Sequence, residues 1–269
     1  MTSPILVTGG TGTLGRLVVS RLRDAGQDVR VLSRTAQHLG PGVEVVEGDL
    51  TTGAGSDGAV TGVATVVHCA GTAKGDDVKA RHLVRAAAAA GVAHLVFISV
   101  VGADRVPVVS AVDRAAFGYF ASKRAAERVV ESSGIPFTTL RATQFHELAL
   151  TTLAAMSRLP VVPVPSHTRF QPVAAAEVAD RLVALSLGAP AGLVDDLAGP
   201  QVLAMDDMLR EYLTATGRRR LLVPVRVPGR AARAIRGGAN LAPEHADGRQ
   251  TWTDFLARRL PEAVHRPAA

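Results

Sequence analysis

Two residues four positions apart, Tyr119 and Lys123, are the most chemically pointed pair in the chain, within Tyr119-Phe120-Ala121-Ser122-Lys123. Tyrosine occurs twice and lysine three times in 269 residues. A Tyr-x-x-x-Lys spacing is therefore expected by accident only roughly 0.02 times in such a chain. On a helix, positions i and i+4 share one face, so the spacing sets the ammonium beside the phenol. A free phenol has a pKa of about 10, and a neighbouring cation favours its ionised form. Such a tyrosine can give a proton to a carbonyl oxygen as a hydride reaches the carbon, or take it back in oxidation. The plainer alternative is a half-buried aromatic with a solvated lysine one turn on.

A second constellation is Thr8-Gly9-Gly10-Thr11-Gly12-Thr13-Leu14-Gly15, which follows the apolar run Pro4-Ile5-Leu6-Val7 and opens a helical pattern over Arg16–Arg23. Glycine lets a strand turn sharply into a helix, and a helix N-terminus attracts phosphate through its free N–H groups and dipole. Gly9, Thr11, Gly12, Thr13, Leu14 and Gly15 are thus expected to hold the pyrophosphate of a dinucleotide. The end of the second strand reads Arg30-Val31-Leu32-Ser33-Arg34. It lacks the acid that NAD-specific folds place there for the ribose 2′-hydroxyl. A guanidinium suits a 2′-phosphate, so Ser33 and Arg34 point to NADP(H); an ordinary surface arginine is the alternative.

The elements that must position these groups alternate along the chain. Expected strands are Pro4–Val7, Asp28–Leu32, Val43–Val46, Thr65–His68, His94–Ile98 and Pro136–Leu140. Helices are expected near Leu14–Ala25, Asp76–Ala90 and Gly118–Ser133, with Gly26, Gly91 and Gly134 just beyond their ends. The third crossover, Gly48–Gly58, has little room for a long helix. This pattern predicts an α/β fold, a doubly wound parallel sheet covered by helices. After residue 145 the alternation loosens, leaving Ala174–Leu187 and Met205–Thr216 as expected helices and Leu221–Val227 as a strand. Residues 1–145 are read as the nucleotide-binding portion, and 146–269 as a small substrate cap completing the same domain.

Composition narrows the function further. Apolar content of 47% with 20% charged residues fits a globular protein, and 269 residues can bury about three quarters of the unfolded surface. One cysteine, Cys69, excludes an internal disulfide and implies a reducing, cytoplasmic setting. Met1-Thr2-Ser3-Pro4 shows no secretory signal, and Ala86–Ala103, the longest stretch without Asp, Glu, Lys or Arg, holds turn residues unlike a membrane span. The last sixty residues hold 12 Arg and 5 acids, an excess of +7 that accounts for the chain's net +6 and is densest at Arg218-Arg219-Arg220. Base-stacking aromatics are nearly missing there, so a solvated arginine face is expected, with no nucleic acid partner. The histidines are scattered without metal-ligand spacing, and no metal site is expected. His146 and His167 could face a substrate, although a lone histidine is more often packed or on the surface.

The glycine turn and the Tyr-x-x-x-Lys pair together resemble the short-chain dehydrogenases/reductases, specifically the atypical extended group with NmrA-like and NAD(P)H-dependent quinone- or azo-reductase-like members. The resemblance extends through Gly48-Asp49-Leu50, His68-Cys69-Ala70-Gly71, Phe97–Gly102, Leu140–His146, Gln171–Ala179 and Gly248–Trp252. It implies a Rossmann fold and a small-molecule substrate. Asp49 and Leu50 would flank the adenine, and Cys69, Ala70 and Gly71 would line the cofactor trough. Lys123 would also bind the nicotinamide ribose, with Ala142, Thr143 and Gln144 beside the nicotinamide. Extended members carry a catalytic Ser or Thr shortly after strand five. Here that position falls on Val100, with Ser99 one residue early as the candidate. Reduction of a carbonyl, quinone or similar acceptor is the implied activity. A nucleotide-sensing regulator acting through a protein partner is the alternative that the displaced serine leaves open.

Overall fold

A computed structural model describes residues 3–72 and 74–260; Met1 and Thr2 of the leading segment therefore lie outside the described residues. Runs of Val, Ile and Leu form the strands β1 (Ile5–Thr8), β2 (Val29–Ser33), β3 (Val43–Glu47), β4 (Thr65–His68), β5 (His94–Val100) and β6 (Phe137–Ala142). With a short strand β9 (Gly192–Leu193) they build a seven-stranded sheet in the order β3-β2-β1-β4-β5-β6-β9. Register is parallel, with Ile5 opposite both Val29 and Thr65, and Thr65 opposite His94. All seven residues of β5 are buried, as expected of a central strand covered on both faces. The doubly wound α/β architecture read from the sequence is thus present.

Helices α1 (Thr13–Asp24), α2 (Ser56–Val60), α3 (Asp76–Ala89) and α4 (Ala111–Glu131) provide the crossovers, and α6 (Ala175–Leu187) packs against α1. Five-residue α2 matches the short third crossover. Helix α1 buries Leu14, Val18, Val19 and Leu22 on one stripe and ends at Gly26, whose φ of +73° only glycine adopts readily. Leu83, Ala87, Phe97, Ala126 and Val130 lie in one core beneath α3 and α4.

Helix α4 begins at Ala111, a full two turns before the expected Gly118. Ser110 and Asp113 explain this: Asp113 N–H donates to Ser110 Oγ at 3.0 Å, and Ser110 N–H donates back to the Asp113 carboxylate at 3.1 Å. This reciprocal cap was legible as Ser-x-x-Asp.

Two compact units divide the chain. The first takes the residues up to Asp104, Gly118–Arg141 and Ala175–Asp195, and so holds the seven-stranded sheet up to Arg141 of β6. The second takes Arg105–Phe117, Ala142–Ala174 and the residues from Asp196 onward. In the second unit, α5 (His146–Met156), β7 (Val161–Pro165), β8 (Arg169–Phe170), β10 (Leu203–Ala204), α7 (Met205–Ala215), β11 (Leu221–Val225), α8 (Arg230–Arg236) and α9 (Trp252–Arg259) surround their own core. Trp252, Met208, Leu209, Val162 and Val164 are its centre. Strands β7 and β11 pair in parallel, β8 and β10 antiparallel. A Thr251–Asp254 capping box starts α9. His146 is packed, stacked on Phe255 at 5.0 Å and on Trp252 at 6.0 Å, with Nε2 3.1 Å from the Gln250 carbonyl.

Candidate active site

The glycine turn leaves β1 at Thr8. Gly9 has φ +71°, and a Cβ there would lie 2.7 Å from the Ala70 backbone, so the turn passes directly against the end of β4. A Cβ on Gly15 would overlap the Gly9 carbonyl oxygen. Gly12 differs: its backbone is extended, with φ −79°, and an added Cβ would meet only the Gly9 oxygen at 3.3 Å. Gly12 and Thr13 are exposed, Thr11 half-buried and Leu14 buried. The first intrahelical bond runs from Arg16 N–H to Gly12 O, which leaves the N–H groups of Thr13, Leu14 and Gly15 without helical acceptors. No acid occupies that first turn. An open cradle of free donors at a positive helix end fits the pyrophosphate of a dinucleotide.

Beside it, Ser33 is buried and its Oγ accepts from Gln37 Nε2 at 3.0 Å. Arg34 is exposed. Asp49 caps its own turn by accepting from Thr51 N–H at 2.8 Å. Hydrogen bonds from Thr51, aided by the nearby Arg34 charge, hold the Asp49 carboxyl below its usual range. Leu50 is buried, and its carbonyl lies 2.8 Å from His82 Nδ1.

At the end of β4, His68 is buried with Nδ1 2.6 Å from Thr8 Oγ1 and its ring stacked on Phe97 at 5.3 Å. Burial, reinforced by the Lys123 charge, lowers its pKa to about 3, so the ring is neutral at pH 7. Burial pushes the Cys69 thiol up to about 12, which denies it thiolate chemistry. A Cβ on Gly71 would stand 3.0 Å from Lys123 Nζ.

Lys123 and Tyr119 share a face of α4, with Nζ 5.9 Å from the Tyr119 ring centroid and 5.0 Å from that of Phe97. Lys123 is buried, not solvated: Nζ donates to Ile98 O at 3.2 Å and pairs with Asp76 Oδ2 at 3.2 Å. Asp76, the first residue of α3, was not singled out in the sequence. Its Oδ1 accepts from Thr72 N–H at 2.7 Å, and its own N–H donates to Ser122 Oγ at 3.1 Å. Gly9, Ala70, Gly71, Lys123 and Tyr119 therefore form one continuous wall, with Asp76 behind it.

The Ser99 hydroxyl is buried with no hydrogen-bond partner among the described residues. It lies beside the Glu127 carboxylate, which Arg141 grips through both Nε and Nη2 at 2.8 Å. Burial raises the Glu127 pKa, but Arg141 and Arg124 outweigh it and hold the group ionised. Val100 is buried too. In the second unit, Ala142 bridges Leu197, Thr143 Oγ1 donates to Gln171 O at 2.5 Å, and Gln144 O accepts from Val173 N–H at 2.9 Å.

Fold and glycine turn define a dinucleotide-binding α/β protein. Residues 9–187 match the family model described as NAD(P)H-binding, and the chain belongs to that family. Over 144 residues it is 38% identical to (4-alkanoyl-5-oxo-2,5-dihydrofuran-3-yl)methyl phosphate reductase of Streptomyces griseus subsp. griseus, covering 52% of this chain and 48% of that protein. It is also 34% identical over 212 residues to the ceramide reductase of Caulobacter vibrioides, covering 71% and 63% respectively. The chain thus spans about half to two thirds of the length of these curated relatives. Its fold is similar to that of the NADPH-dependent quinone oxidoreductase of Escherichia coli complexed with NADPH, with TM-score 0.78 at 20% identity over 95% and 99% of the two chains. It is equally like the triphenylmethane reductase of Citrobacter sp., with TM-score 0.76 at 20% identity over 96% and 99%. No helix among the described residues is long and apolar enough to cross a membrane.

Proposed function

We propose that this chain is an NADPH-dependent oxidoreductase of the NmrA-like short-chain dehydrogenase/reductase type, reducing a carbonyl, quinone or similar small organic acceptor. The carrying observation is the shared face of Tyr119 and Lys123 beside Gly71. Relatives whose printed names are reductases support the reaction class. The exposed Arg34, at a strand end without an acid, supports the phosphorylated cofactor. A cytoplasmic setting agrees with the single cysteine, Cys69, a free thiol.

In this reading the turn from Gly9 to Gly15 grips the pyrophosphate, Ser33 and Arg34 the 2′-phosphate, and Asp49 and Leu50 the adenine side. Cys69, Ala70 and Gly71 line the trough. The reduced nicotinamide, when bound, supplies the hydride. Tyr119 gives the proton that completes a hydroxyl on the acceptor oxygen. Lys123 orients the ribose and favours the phenolate left behind.

One observation favours the regulator as a second reading: Ser99 is buried, and Val100 supplies no donor in its place. Oxidation of NADPH with ketones, quinones and azo dyes distinguishes the two. Sustained consumption, lost in Tyr119→Phe, supports the enzyme. Tight NADPH binding without turnover on any acceptor supports the regulator.

A further inference from the structure

The second unit contains a hollow of about 590 Å³ that none of the expected cofactor-binding or catalytic residues lines, although His167 does. That size suits a small organic ligand. One wall is apolar, from Val164 of β7 and Leu222 and Pro224 of β11. The remainder is polar with a positive excess, Arg169, Arg210 and Arg236 standing against the one carboxylate of Asp206.

These guanidiniums are not equally committed. Arg210 Nη1 is held by Asp206 and Asp207, each at 2.8 Å. Arg236 Nη1 donates to the Val227 carbonyl at 2.8 Å, which orients the fork without neutralising it. No carboxylate pairs with Arg169 or Arg236 among the described residues. Arg169 and Arg236 therefore face the cavity without a paired carboxylate, while Arg210 is more than neutralised by Asp206 and Asp207. A guanidinium in such a place is complementary to an oxyanion with several acceptor atoms.

The backbone beside them is strained. His167, which also lines the hollow, has φ +56°, the one positive φ of a non-glycine residue among those described. Its neighbours hold it there: Ser166 N–H donates to Val225 O at 2.8 Å, and Thr168 O accepts from Met205 N–H at 2.9 Å. Strain of this kind persists where the surroundings over-determine it, and it gathers at ligand sites.

From the charge count, the apolar wall and the fixed turn, we propose that this hollow binds a small organic phosphate monoester. Its dianionic head would lie against Arg169 and Arg236, and its apolar body against Val164 and Leu222. A phosphate monoester carries a charge of about −1.5 to −2 at neutral pH, matching the two free guanidiniums; a neutral alcohol of the same body offers nothing to them. The site is built from the second unit alone, so the proposal does not depend on the hydride-transfer reading.

The test is calorimetric titration of the full chain with phenyl phosphate, using benzyl alcohol as the uncharged comparison. Phenyl phosphate is expected to bind one per chain, more weakly as salt is raised. Arg169→Gln and Arg236→Gln should each weaken it at least tenfold, the range for a lost charged hydrogen bond. Gly12→Val should leave it unchanged, which separates this site from the glycine turn. In the unmodified chain, phenyl phosphate should also shield Arg169 and Arg236 from phenylglyoxal, read by peptide mass; this arm needs no variant to fold. Equal binding of benzyl alcohol, absence of binding, absence of shielding, or loss in Gly12→Val with none in the arginine variants would each overturn the proposal.

Discussion

Lys123 Nζ lies 3.2 Å from Asp76 Oδ2, and the two side chains are 4% and 0% exposed. The ion pair is thus deprived of water on both sides. Removing one member of such a pair strands the other charge in the interior. Asp76→Ala is expected to destabilise the fold by about 3–5 kcal/mol. The double variant with Lys123→Met should recover part of that loss, because the buried ammonium is gone and only Lys79, 3.6 Å from Asp76 Oδ1 in the wild type, then lacks its partner. Urea unfolding of the three proteins measures this, and a double variant as unstable as the sum of the singles would contradict it.

The Tyr119 ring is half-buried, packs edge-on against Phe120 at 6.1 Å, and lies on the Lys123 face of α4. Tyr119→Phe should therefore leave stability and NADPH affinity nearly unchanged. Turnover of a ketone should fall by roughly 10²–10⁴-fold, the usual contribution of a positioned proton donor. Wild-type rates in the phenylalanine variant would end the proposed mechanism.

Gly12 and Gly15 should behave differently. The extended backbone of Gly12 accepts a side chain, so Gly12→Val should fold while its branched group fills the cradle and removes nucleotide binding. Gly15→Ala would drive a methyl into the Gly9 carbonyl, and a loss of about 1–3 kcal/mol is expected from such overpacking. Thermal melting with and without NADPH reads both effects.

Arg34 is assigned to the 2′-phosphate, so the wild type should bind NADPH more tightly than NADH. A charged hydrogen bond contributes roughly 1.5–3 kcal/mol, so Arg34→Ala should cut the preference by on the order of 10- to 150-fold. Equal affinity of the wild type for both nucleotides would remove the assignment.

Stability should respond to acid through His68. Its folded pKa is about 3 against an ordinary 6.5, so the folded state favours the neutral ring. Stability is then complete above pH 6.5 and declines as pH falls toward 3, by at most about 1.4 kcal/mol per pH unit for one proton. His94, also lowered by burial, adds in the same sense. Urea unfolding between pH 7 and 5 should show this slope, and His68→Gln should flatten it.

Much of the fold was legible because its signals are local. Branched apolar runs bounded by glycines gave six strands to within a residue or two at each end, and the i, i+4 spacing put Tyr119 and Lys123 on one helical face. Helix starts carry equally local signals, Ser110–Asp113 for α4 and Thr251–Asp254 for α9. The displaced serine was legible as a position, not as an environment.

By itself, then, the sequence determined the alternating elements, the glycine cradle and the residue types available for proton transfer, since each depends on short stretches of backbone preference and periodicity. Only the tertiary structure decided which charges would be buried together. Pairing of β4 with both β1 and β5 brings the start of α3 to α4, so Asp76 meets Lys123. Burial of Ser99 and Arg141 against Glu127 follows from packing of α4 on β5 and β6. A buried charge must find its partner across the fold, because water is no longer there to solvate it, and no local spacing specifies that partner.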